Sequence, residues 1–173
     1  MVRNVHGFTL VELLIVMAII GMLAAIGMAA HRHARVRGGE VSAIASLEAI
    51  NQAQFAFAQA CGKQRFAPTL AALGTPMPTT GQGFLSPDMA ADPLTKSGYQ
   101  FTMTGTAVSD GSLTCTGLAG VESYQATADP VTPGVSGSRF FATNTDRVVY
   151  EDQVTFTGNM PESGAPGHGV ELK

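Results

Sequence analysis

From Phe8 to Ala30 the chain is an apolar stretch interrupted by one carboxylate, Glu12. As a helix rising about 1.5 Å per residue the stretch is roughly 34 Å long, enough to cross a hydrocarbon layer of about 30 Å. Beyond Ala30 the polarity changes but the helical period persists. Val36, Ala43, Ile44, Leu47, Ile50, Phe57 and Ala58 recur at three-, four- and seven-residue steps, while Glu40, Ser42, Ser46, Glu48, Asn51 and Gln52 fill other faces. No proline intervenes before Pro68, and Gly38-Gly39 is the one soft spot, able to bend the rod. Gly62 reads as a left-handed terminating residue. The pattern predicts one helix from Phe8 to Ala60, about 80 Å long, apolar all round in its first half and amphipathic in its second. Phe55 and Phe57 are expected to pack beneath a sheet.

The segment Arg65–Met89 carries Pro68, Pro76, Pro78 and Pro87 with several glycines, so it reads as a loop holding one short helix at Thr69–Leu73. Strand-like runs follow at Tyr99–Met103, Val121–Ala126 and Arg139–Thr143. A turn at Asn144–Arg147 leads into Val148–Tyr150, and Gln153–Thr157 is a candidate last strand. Short runs at this spacing predict an α+β chain: a long helix under an antiparallel sheet of three to five strands. The Gly- and Pro-rich tail 161–173 is expected to be flexible.

Composition bounds the function. The 173 residues are 45% hydrophobic and 13% charged, and the roughly 110 residues from Cys61 onward suffice for one small domain. That part is mildly acidic, so no nucleic-acid surface is indicated. No nucleophile elbow, phosphate loop or metalloprotease pattern is present, and His6 and His168 lie at the ends of the chain. Neither enzymatic activity nor a cofactor is expected. In the basic cluster His31–Arg37, the two histidines are two residues apart and point different ways on a helix. That disfavours a metal site and favours headgroup-level snorkelling of Arg32, Arg35 and Arg37. Simple counting of basic residues around the apolar stretch would leave its C-terminal side in the cytoplasm.

An ionised carboxylate in lipid costs about 2.5–3.5 kcal/mol on insertion scales, and no other charge lies in the stretch. A chain that carries Glu12 there needs it, with a partner expected on another molecule. The run Gly7-Phe8-Thr9-Leu10-Val11-Glu12, followed by an apolar helix, resembles the N-terminal signal of type IV prepilins and pseudopilins. The likeness covers Gly7–Ala25, and Gly21 falls where that family often has glycine. One departure is Ala29 at the usual proline, with Gly27 as a substitute weak point; unwinding of the helix between Gly21 and Gly27 is left open.

The resemblance implies that residues 1–7 are a leader cut after Gly7 by a prepilin peptidase, which also methylates the Phe8 amine. It implies an 8–30 membrane-spanning and filament-core half, a 31–61 amphipathic half and a pilin-like head over 62–160 with a loop at 65–96. It also places the head outside the cytoplasm, against the basic-residue count. Glu12 would then pair with the Phe8 amine of a neighbouring copy and set helix register, as a lone polar residue does in a coiled coil. An exported head favours a Cys61–Cys115 disulfide, worth about 4 kcal/mol in the chain-entropy model. Some pseudopilins bind calcium through acidic loops, which makes Asp88 and Asp92 weak candidates, with Asp146, Glu151 and Asp152 behind them. The implied partners are further copies of the chain, the peptidase, a pilus or secretion assembly platform and, before assembly, the membrane. The implied function is that of a pilus subunit serving adhesion, twitching motility or DNA uptake. A pseudopilin of type II secretion is the first alternative, and a membrane-anchored binding domain that never polymerises is the second.

Overall fold

A computed structural model describes residues 7–172, apart from the side chains of 26–30. The chain divides into two compact units, residues 1–35 and 36–173.

The helix α1 (Leu10–Ala60) starts in the first unit. Its described apolar side chains there are open, from 45% exposed at Val16 to 78% at Leu10. The helix runs through Gly21 without a break. Positions 27 and 29 fall where side chains are not described, and leader residues 1–6 lie outside the described residues. Among the described residues no helix is long and apolar enough to cross a membrane. The described apolar run, Leu10–Ala25, reaches about 24 Å, short of the roughly 20 residues a span takes. The membrane-spanning half expected over 8–30 is therefore not supported by the described residues.

The second unit sets the amphipathic half of α1 against a six-stranded sheet. The strands are β1 (Leu94–Lys96), β2 (Tyr99–Ala107), β3 (Val121–Pro130), β4 (Phe140–Asn144), β5 (Val149–Asp152) and β6 (Val170–Glu171). Each pairs antiparallel with the next, so spatial order equals chain order. Leu47, Ile50 and Phe57 of α1 join Phe101, Met103, Tyr124, Ala126 and Phe141 of the sheet in one core. The short helix α2 (Leu70–Gly74), capped by the Thr69 hydroxyl accepting from Ala72 N at 3.1 Å, adds Leu70 and Leu73. Alternate strand positions point to the other face. There Ala142 and Tyr150 pack with Phe156 and Met160 in a second, smaller core.

Several expectations are corrected. The sheet has six strands, not three to five: β1 lies inside the expected loop 65–96 and β6 inside the expected flexible tail. Gln153–Thr157 is not a strand. Its Thr155 and Thr157 hydroxyls donate to Asp129 at 2.7 and 2.9 Å, and Phe156 fills the second core. Phe57 is buried as expected, whereas Phe55 is 47% exposed. Helix α1 ends near Gly62, but the left-handed residues are Lys63 (φ 53°) and Gln64 (φ 69°). Glycine is needed at 62 for close approach, since a Cβ there would sit 1.9 Å from the Arg65 carbonyl oxygen.

The tail is tied down at four points. Glu162 accepts from Thr106 and Ser123, and Asn144 donates to the carbonyls of Pro161 and Gly164. His168 meets Asp152 at 2.7 Å, and the backbone of Leu172 donates to Val149.

Candidate processing and assembly site

Thr9 and Glu12 form a reciprocal cap on the start of α1. The Glu12 backbone N–H donates to Thr9 Oγ1 at 3.2 Å, and Glu12 Oε2 accepts from Thr9 N at 3.0 Å and Thr9 Oγ1 at 2.8 Å. This is the Thr-x-x-Glu capping box, which satisfies two of the donors that a helix start leaves orphaned. It explains why the helix begins at Leu10 rather than Phe8. It also corrects the expectation that Glu12 lacks a partner in its own segment. The spacing signal for the cap was present in the sequence.

Gly7, Phe8 and Thr9 precede the helix, so the Gly7–Phe8 peptide lies outside the α1 hydrogen-bond ladder. Phe8 is 74% exposed, and a Cβ built on Gly7 would meet nothing within 4 Å. Among the described residues nothing crowds this peptide.

In the second unit Cys61 and Cys115 form a disulfide, with Cα atoms 4.9 Å apart across a sequence separation of 54. Cys115 N also donates to Cys61 O at 3.0 Å, and Arg65 pairs with Asp110 close by. The end of α1 is thereby clipped to the loop between β2 and β3.

The calcium candidates are engaged otherwise. Asp88 pairs with Lys96 at 2.7 Å, and partial burial pushes the Asp92 carboxyl up. Asp146 accepts from Gly164 N, Glu151 pairs with Arg139, and Asp152 pairs with His168. Among the described residues, no group of three or more His, Cys, Asp or Glu side chains is placed to hold a metal ion.

Sequence reasoning missed one surface feature. Arg147, at φ 63°, lays its guanidinium over the exposed Phe55 ring, 4.8 Å from the centroid. Glu48, Asn51 and Gln52 complete a cleft of about 290 Å³ there. His31, Arg32, His33, Arg35 and Arg37 are all exposed.

The fold and the N-terminal geometry define an α+β chain whose open helix start is preceded by an accessible peptide bond. Residues 2–28 match the prokaryotic N-terminal methylation motif, the type IV pilin/pseudopilin signature. That signature marks a structural rather than an enzymatic family. No curated protein and no solved structure matches the chain.

Proposed function

We propose that the chain is a subunit of a type IV pilus-like filament. It would be cut after Gly7 and methylated on Phe8 by a prepilin peptidase, then assembled by bundling of the first half of α1. The reading is carried by one observation: the methylation motif runs directly into a helix whose described apolar side chains are exposed. Such a surface needs cover, and further copies of the same helix supply it. Repetition of one head-to-tail contact then builds a fibre rather than a closed ring.

Insertion in the cytoplasmic membrane before assembly, with the head outside, belongs to this reading. It rests on the motif and on the apolar composition of 8–30, part of which has no described side chains. Cleavage leaves Thr9 as the second residue of the mature chain and frees the Phe8 amine near Glu12. Glu12 then has two suitors, its own Thr9 and the amine of a neighbouring copy, and burial in a helix bundle strengthens the charged one. Adhesion, motility or DNA uptake is the work such a filament would serve.

Mass spectrometry of sheared surface material is the test. The reading expects a mature chain beginning at N-methylated Phe8, in filaments, with the uncut chain accumulating when the peptidase is deleted. A chain that keeps residues 1–7 in normal cells, or that is displayed normally with Glu12→Ala and never found in shear fractions, would overturn it. Filaments seen only alongside a protein-secretion defect would move the assignment to a pseudopilin.

A further inference from the structure

The solvent-facing side of α1 in the second unit carries two charges that form no ion pair among the described residues, although Arg147 lines the same cleft as Glu48. Arg37 and Glu48 are both exposed, and neither makes an ion pair among the described residues. Eleven residues separate them, which is about three full turns plus 20°, so they share one face roughly 16 Å apart. They are too far apart to reach each other. Between and beyond them on this face lie Val41, 65% exposed, and Phe55, 47% exposed.

Other exposed carboxylates are committed: Asp88 to Lys96, Asp110 to Arg65 and Asp146 to Gly164 N. Glu122 and Glu171 are exposed without hydrogen bonds among the described residues, but neither lines the cleft at Phe55. Glu48 does.

A face with a cation at one level and an anion eleven residues higher is complementary to its own translate. Two parallel copies in register would set Arg37 against Arg37. A copy displaced by about 16 Å along the helix axis instead brings its Arg37 beside Glu48 of the first. We propose that this face of α1 is a contact surface for a second copy, packed parallel and displaced by about eleven residues, with Glu48 of one copy meeting Arg37 of the other. The proposal rests on the filament reading for its assembly readout and names the contact that sets the axial step.

The test uses the full chain in cells that assemble it. Sheared filament yield is the readout, and the melting temperature of the purified chain is the control for folding. Glu48→Arg and Arg37→Glu are each expected to cut the yield by about tenfold or more, through like-charge contact. The double variant Glu48→Arg/Arg37→Glu is expected to restore it. Because the two positions cannot touch within one helix, rescue reports a contact between copies. Glu122→Arg serves as a surface-charge control and should leave the yield unchanged. If either reversal lowers the melting temperature, Glu48→Gln and Arg37→Gln replace them, with a smaller loss expected from each. Single variants that assemble like the parent, or a double variant that stays as defective as the singles, would overturn the contact and leave the filament reading standing. A parent chain that is folded, cleaved and never filamentous would sink the filament reading itself.

Discussion

Glu40 is only 4% exposed, and four hydrogen bonds reach its carboxylate from the segment just before β4. Ser138 donates through its backbone and hydroxyl, and Arg139 through Nε and Nη2, while the same guanidinium pairs with Glu151 and lies over Phe141. Burial alone would raise the Glu40 carboxyl; the Ser138 and Arg139 donors outweigh it and hold it below the ordinary 4.5. A depressed acid contributes stability that is complete above its unfolded value and lost as pH falls toward the lower folded one. Glu40→Ala should therefore destabilise the second unit by about 2 kcal/mol at neutral pH, less than a fully buried pair because Arg139 is partly solvated. In thermal melts that is a loss of roughly 8 °C, and the gap to the parent should narrow below pH 4.5.

Gln54, fully buried, mimics a strand partner. Its amide donates to Ala67 O at 2.9 Å and accepts from Ala67 N at 2.8 Å. Gln54→Ala strands both backbone groups, and chemical denaturation should show a loss of about 2–4 kcal/mol. Neither role was legible in the sequence. Helical spacing sorts residues by polarity, so it sent Glu40 and Asn51 to outer faces; their partners lie 98 and 92 positions away. By contrast, the Thr9–Glu12 cap is a three-residue relation that the sequence alone displays.

At the scale of the element, α1 was readable because its period is sustained, and the core stripe Ala43, Leu47, Ile50, Phe57 is buried as the spacing predicts. Its end depends on more than Gly62. Gln64 N donates to Ala58 O and Arg65 N to Gly62 O, closing the last turn around the two left-handed residues. Gly62→Ala would drive a methyl into the Arg65 carbonyl, so a loss of at least 1 kcal/mol, on the order of other strained-backbone changes, should appear in thermal melts. The disulfide fixes the same corner. Replacing Cys61 and Cys115 by serine removes a constraint worth up to about 4 kcal/mol, and unfolding of the double variant beside the oxidised and reduced parent measures it. The strands β1 and β6 escaped sequence reading for a simple reason: three and two residues are too few to display a period of two. Gln153–Thr157 failed in the opposite way, since its alternation is real but serves the sheet's second face rather than a ladder.

For the second unit as a whole, the decisive unexpected feature is the segment from Phe156 to Leu172, whose Phe156 and Met160 fill the core on the sheet face turned away from α1 while its end adds β6 to the sheet edge and Leu172 to the α1-side core. Composition suggested a loose tail because Gly and Pro dominate it. The contacts that hold it come instead from single polar residues, Glu162, Asn144 and His168, whose partners are remote in sequence. Truncation after Met160 should strip β6, leave buried Asn144 without its two carbonyl acceptors and open the smaller core. A loss of roughly 2–4 kcal/mol with new binding of a hydrophobic dye is expected in equilibrium unfolding.

Because each strand of the sheet pairs with its immediate neighbours in the chain, apart from a bridge from Val121 back to the earlier Phe66, a polypeptide delivered N-terminus first never has to hold a gap open for a strand not yet made. Every newly arrived strand meets a finished edge, and the two-residue β6, with the polar fasteners around it, is the last of the described strands to join. A truncated or stalled copy would therefore keep β5 as a bare edge, which marks it as unfinished by its shape alone.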